Sequence, residues 1–225
     1  GQAMGVYYGY VCDGIFQNTA EVANHATQNG AAPGRLIYRD LDGNGVIDDN
    51  DRCIIGNPNP EISLGLNLGF RYKSLSLDMF FAGDFGQDII NHMKRQLYFM
   101  NYGNLTTNRS VDVLNAWTPQ NTGSDIPALS LTDDNNESRF STYFIENGSY
   151  MKMKYLKLSY SLPESVYKVI GSQGIDIYGQ VENVFTLTKY KGLDPEILPG
   201  TYGSLTDNGS YPRPRTYTIG VNVQF

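Results

Sequence analysis

Long apolar runs are missing from this sequence. No stretch approaches the roughly 18 to 20 residues that a membrane-crossing helix needs. That excludes helical spans but not a transmembrane β-barrel, whose strands need only about 9 to 11 residues with alternate positions apolar. Basic clusters are missing too. Seventeen Lys and Arg against 23 Asp and Glu leave a net charge of −6. Without a basic patch, nucleic acid is not an expected partner.

Groups able to carry covalent or acid–base chemistry are sparse. His25 and His92 stand alone, and no GxSxG or Walker pattern occurs. The acidic neighbours Asp48–Asp49 and Asp133–Asp134 read as solvated loop charges rather than a glycosidase pair. No catalytic set emerges, so an enzyme is not expected. Cys12 and Cys53 are too few to define a disulfide framework, and no metal-ligand spacing involves them; whether they pair stays open. The opening GQAMGVYYGY has neither the basic start nor the apolar core of a signal peptide, and no initiator Met. It reads as an excerpt from a longer or processed chain.

What is plentiful points to β-structure. Tyr (17), Phe (10) and Gly (24) are all frequent, a bias that suits strands joined by many turns. The clearest strand is the last one. Tyr217, Ile219, Val221, Val223 and Phe225 share one face, with Thr216, Thr218, Gly220, Asn222 and Gln224 on the other. EISLGLNLGF (61–70) and SLSLDMFFAG (74–83) repeat the design around a tight connection and read as a hairpin. Residues 150–163 and 175–187 add two more strands, the first with a blurred phase at Met151 and Met153 that suggests a bulge. GVYYGYVCDGIF near the start is a weaker sixth candidate. The opposite faces carry Ser, Gly and Asn rather than the charge of a soluble surface.

The connections alternate in length. Residues 16–60, 84–149 and 188–214 are long; 71–73 and 163–173 are short. Short turns on one side and long loops on the other are the asymmetry of an outer-membrane barrel. If the last strand ends at the periplasm, all the long loops are extracellular. Trp117 in AWTPQNTGSDIP reads as packing within its loop, and YFMNY (98–102) as a helical loop segment.

One stretch has the spacing of a cation loop: DLDGNGVIDDND, residues 40–51. Asp40, Asp42 and Asn44 supply oxygens at offsets 1, 3 and 5, and Gly45 permits the sharp turn. Val46 offers its carbonyl at offset 7, Ile47 is the apolar anchor, and Asp48 at offset 9 acts directly or through water. Asp51 stands at offset 12, where a sensor loop has the longer Glu. The flanks do not read as helices, so a permanent calcium staple is expected rather than a switch, with magnesium as the other hard cation.

Several of these segments together resemble the carboxy-terminal part of SusC/RagA-type TonB-dependent outer-membrane transporters. The resemblance runs through GRLIYRDLDGNGVIDDNDRCIIGNPNPEISLGLNLGFRYKSLSLDMFFAGDFGQDI, AWTP, NGSYMKMKYLKLSYSLP, VENVFTLTKYKGLDPE and the final strand. It implies an all-β fold: a transmembrane antiparallel β-barrel, of which residues 1–225 hold about six carboxy-terminal strands of a 22-stranded plugged barrel, with the calcium loop 40–51 inside extracellular loop 16–60. It also implies a SusD-like surface lipoprotein lid, energy from TonB–ExbB–ExbD, a glycan or peptide cargo, and lipid around the wall. The family's plug would lie on the amino-terminal side and is absent from these residues. A secreted, calcium-stabilised β-sandwich that binds glycans would keep the metal loop, but leaves the loop asymmetry and the aromatic final strand unexplained.

Overall fold

The computed structural model describes residues 1–103 and 107–225. In chain order its strands are β1 (Tyr7–Tyr10), β2 (Cys12–Ile15), β3 (Leu36–Tyr38), β4 (Arg52–Gly56), β5 (Ile62–Tyr72), β6 (Leu75–Phe85), β7 (Asp88–Asn91), β8 (Ile145–Asn147), β9 (Tyr150–Ser161), β10 (Gly174–Thr188), β11 (Thr206–Asp207) and β12 (Thr216–Gln224). Among the described residues no helix is long and apolar enough to cross a membrane. The long connection expected over 84–149 includes residues 104–106, which lie outside the described residues. The chain divides into two compact units: Gly1–Asn59 with Asp88–Asn147 and Ile197–Ser210, and Pro60–Gln87 with Gly148–Glu196 and Tyr211–Phe225.

The second unit is built on one antiparallel sheet, in the order β12-β10-β9-β6-β5. Its register explains why these strands alternate. Tyr72–Leu75–Tyr160–Ile177–Val221, Phe70–Leu77–Leu158–Gly179–Ile219 and Leu68–Met79–Leu156–Val181–Tyr217 run straight across all five strands. One residue along, Gly69–Asp78–Lys157–Gln180–Thr218 and Arg71–Ser76–Ser159–Tyr178–Gly220 line the opposite face. A one-residue slip of any strand would swap its faces, so the apolar rows fix the register. Gly220 fits the register because a Cβ there would lie 2.4 Å from the Tyr178 ring.

The apolar face is uncovered. Leu66 is 53% exposed, Phe70 58%, Leu158 52% and Ile219 87%. A sandwich buries such a face against a second sheet about 10 Å away. The alternative of a β-sandwich would need this face buried, and it is exposed. β5 keeps its apolar alternation over 11 residues, about 37 Å at ~3.4 Å per residue. Tilted by ~40°, that length projects to about 28 Å, close to the ~25 Å apolar band of a membrane barrel.

Neighbouring strands are antiparallel throughout, so both short connections leave one end of the sheet and both long ones the other. The β5–β6 turn is two residues, with Lys73 in the left-handed region at φ 54°. The blurred phase in β9 is a bulge: Phe80 pairs with Tyr155 but Phe81 with Met153, leaving Lys154 extra. Facing it, β10 passes from Glu182 to Phe185 with Asn183 at φ 52°.

The expected sixth strand does not join this sheet. GVYYGYVCDGIF breaks at Val11 into β1, which pairs with β4, and β2, which pairs with β3. Glycine makes the break possible. A Cβ on Gly9 would lie 2.5 Å from the Phe140 carbonyl oxygen, and Gly14 has φ 132°. The sheet thus has five strands among the described residues, and the expected loops 16–60 and 84–149 carry short strands of their own.

Those strands belong to the first unit. Its core is mainly aromatic and aliphatic: Ile15, Leu36, Tyr38, Phe99, Trp117 and Phe144. A buried polar node stands beside it. Gln28 donates to the Leu36 carbonyl and the Asn135 side chain and accepts from the Tyr38 amide. Glu137 accepts from the Leu36 amide and pairs with Arg35 at 3.0 Å. Within this node Gln28, Asn135, Glu137 and Arg35 all find partners, which avoids the cost of an unpaired group there.

Candidate functional site

The loop 40–51 sits between β3 and β4, in the first unit. Its turns depend on Gly43 and Gly45, at φ 73° and 81°. Nothing lies within 4 Å of a Cβ built on either, so glycine is required for backbone conformation and not for space. The middle of the loop is fastened to a neighbouring segment. The Thr27 amide donates to the Gly45 carbonyl (2.8 Å), and the Ile47 amide to the Thr27 carbonyl (2.9 Å). Ile47 packs against the core, the anchoring role its offset suggested.

Three carboxylates converge there. Asp40, Asp42 and Asp51 each place one oxygen within 4.8 Å of the others. Asp40 accepts from the amides of Gly43 and Gly45, both at 2.8 Å. These bonds, Gly45's foremost, hold its carboxyl below the usual range. Asp42 accepts from the amide and side chain of Asn44, both at 3.1 Å. Asp51 is fully buried and clamps the two halves of the loop, accepting from Leu41 N–H (2.7 Å) and Asp48 N–H (2.8 Å). Among the described residues none of the three pairs with a basic side chain; the neighbouring Arg52 pairs with Asp49 instead.

The remaining loop positions are placed differently. Asn44 Oδ1 accepts from Val46 N–H at 2.8 Å. Asp48 is outside the carboxylate trio; it caps the helical turn Asp49–Asp51 by accepting from Asn50 N–H. The donor set, all hard oxygen with uncompensated negative charge, suits a divalent cation. Each carboxylate oxygen that accepts an amide hydrogen keeps lone-pair capacity for a second partner.

Other candidates take structural places. Trp117 is buried in the core and donates to Gln17 Oε1 at 2.8 Å. The His25 ring stands edge-on to Phe16 and the His92 ring to Tyr102. Asp133 closes a turn by accepting from Glu137 N–H and the Ser138 hydroxyl. Both cysteines are free thiols, and burial pushes Cys12 up to about 11, which suppresses its reactive thiolate. One cluster escaped the sequence: Lys152 and Lys154 of β9 meet Asp194 and Glu196. Its only advance signal was two lysines at alternate positions of a strand, which an ordinary wet face would also show.

No protein-family model matches the chain. It is 36% identical over its whole length to TonB-dependent receptor P3 of Formosa agariphila, covering 22% of that protein. With TonB-dependent receptor SusC of Bacteroides thetaiotaomicron it shares 29% identity, over 94% of this chain and 20% of SusC. The solved structure of the RagAB peptide transporter superposes on 98% of this chain and 22% of its own, with a TM-score of 0.76 and 28% identity. The chain thus spans about a fifth of the length of the relatives it matches.

Proposed function

Because the chain belongs to the SusC/RagA-type TonB-dependent outer-membrane transporters, we propose that it forms the carboxy-terminal part of the wall of a nutrient-importing barrel. The plug and the other strands belong to the rest of the transporter. The observation that carries this reading is the five-strand apolar band, uncovered on one face and backed by polar rows on the other. Its apolar face meets lipid. Its Ser, Gly, Asn and Lys face meets water in the lumen. The long connections lie outside the cell, under a SusD-like lipoprotein. Energy comes through TonB–ExbB–ExbD, and no bond of the cargo is broken. The cargo is an oligosaccharide or, as for the RagAB peptide transporter, a peptide.

The loop 40–51 is read as a structural calcium site in one of these outer connections. Asp40, Asp42 and Asp51 would give carboxylate oxygens, Asn44 its side-chain oxygen and Val46 its carbonyl, with Asp48 acting directly or through water. The ion would supply charge compensation and loop rigidity. At the millimolar calcium outside a cell, weak affinity suffices.

Uptake by cells expressing the whole transporter tests the reading. Fluorescent oligosaccharide and fluorescent peptide are offered separately, with and without a proton uncoupler. Import of one of them that stops with the uncoupler is expected, and the arm that responds names the cargo class. Uncoupler-insensitive import would refute TonB energisation. Release of the protein from membranes without detergent would refute the barrel.

A further inference from the structure

The connection from β10 to β12 leaves the sheet through residues 189–196 and returns through 211–215. These limbs have no regular secondary structure, and Leu193 and Tyr211 are mostly exposed, at 68% and 89%. Apolar packing holds them at few places, chiefly Tyr190 and Pro195. An ionic cluster on β9 holds the rest. Lys152 is only 3% exposed, and its Nζ donates to Asp194 Oδ1 at 2.5 Å and Glu196 Oε2 at 3.0 Å. Lys154 Nζ donates to the other oxygen of Glu196, Oε1. From the returning limb, Arg213 donates its backbone N–H to Asp194 Oδ2 (3.4 Å), with its guanidinium 3.7 Å from Glu196.

Two local features bring these charges together. The bulge in β9 inserts Lys154, so that Lys154 reaches Glu196 alongside Lys152 even though Tyr155 keeps its pairing with Phe80. In the outgoing limb, Pro195 has no N–H, and Asp194 Oδ1 accepts the next one, from Glu196, at 2.9 Å. That turn presents both carboxylates to the lysines. Nearby, Asp84 is occupied by the Tyr150 and Ser63 hydroxyls, and the Tyr150 ring lies 5.8 Å from Lys152 Nζ.

We propose that Lys152, Lys154, Asp194, Glu196 and Arg213 form an ionic clasp that pins both limbs of the β10–β12 connection to β9 and opens only as a unit. The reason is burial. An exposed pair such as Lys168–Glu164 parts at little cost. Lys152 cannot lose both carboxylates without leaving a desolvated charge unmatched, and each carboxylate is also held by a second member of the cluster, Glu196 by Lys154 and Asp194 by the Arg213 N–H. The connection therefore has two states, clasped and free, instead of a continuum.

The clasp also resists acid. Burial alone would push the Asp194 and Glu196 carboxyls up, but hydrogen bonds from Lys152 and Lys154 overcome it and hold both below their usual range. Carboxyls depressed in the folded state give stability that is present above their ordinary pKa and lost as pH falls through the depressed one. The clasp stays closed through the ordinary carboxylate range and opens below it.

Hydrogen exchange on the whole transporter in detergent tests this. Lys152→Met should speed exchange of the amides in 191–196 and 211–215 by at least about ten-fold, since breaking one partner of a buried pair is costly. Amides of β5, β6 and the 155–161 stretch of β9 should stay protected. Glu196→Gln, a smaller perturbation that keeps the side chain's size and removes only its charge, should act in the same two limbs. Unchanged exchange in both variants overturns the proposal. Loss of protection spread over the whole sheet overturns it as well, because the cluster would then be a fold determinant and not a clasp.

Discussion

Two adjacent residues of β10 give the sharpest test of the membrane-facing assignment. Val181 is the midpoint of this strand, which runs Gly174–Thr188. It belongs to the row Leu68–Met79–Leu156–Val181–Tyr217, apolar across all five strands. Gln180, one residue earlier at the same depth, belongs to the row of Asp78, Lys157 and Thr218. Val181→Arg puts a charge on the lipid face near mid-depth, where Arg costs about 2–4 kcal/mol. That is a factor of roughly 30 to 1,000 in the folded fraction. Gln180→Arg puts the same charge in water; beside Lys157 it meets a like charge, worth no more than about 1 kcal/mol. Urea unfolding of the whole transporter from lipid vesicles, followed by the gel shift of the folded barrel, reads the difference. The two variants should differ by at least about 1 kcal/mol, with Val181→Arg the less stable. Equal midpoints, or the reverse order, would refute the reasoning, because on a water-exposed sheet both changes are surface substitutions within about 0.5 kcal/mol.

Three further outcomes are expected. Asp42→Ala, or chelator on the unaltered protein, should hasten proteolysis within 40–51; cleavage unaffected by both would count against a structural ion. Gly45→Ala should loosen the same loop by about 1–2 kcal/mol through left-handed strain alone, since its Cβ meets nothing within 4 Å; amide exchange at 43–48 measures it. Tyr7 donates its hydroxyl to the Asp88 and Leu205 carbonyls, and burial pushes its pKa from 10.0 up to about 12. Its share of stability is therefore complete below pH 10 and lost as pH rises towards 12. Tyr7→Phe should flatten that part of the alkaline unfolding curve, and an unchanged slope would show that other phenols carry it.

The five strands of the large sheet were legible because their signal is local. A strict period of two in residues 62–72 or 216–224 leaves one pleated arrangement with a consistent apolar face. The bulge was legible for the same reason, as a broken phase around Met153. The convergence of Asp40, Asp42 and Asp51 was legible in the spacing of the loop, and so was Ile47 in its anchoring role. The sixth strand was misread because alternation in GVYYGYVCDGIF is interrupted by Gly9 and Gly14, whose close approach and unusual φ show only in three dimensions. Asp51 could be assigned an offset but not a burial. Its clamp on Leu41 and Asp48 depends on how the chain closes around it.

The sequence by itself determined the strand faces, the alternation of short and long connections, the hard-oxygen loop and, by resemblance, the family. All of these are written in the order of neighbouring residues. Only the tertiary structure decided which side chains from distant segments share a burial site. Gln28 with Asn135, Arg35 with Glu137, and Lys152 with Asp194 and Glu196 are separated by 42 to 107 residues. Their pairing follows from desolvation: a charge or amide carried inside must find its partner there, and the partner's place in the sequence is set by the fold's topology and by no local rule.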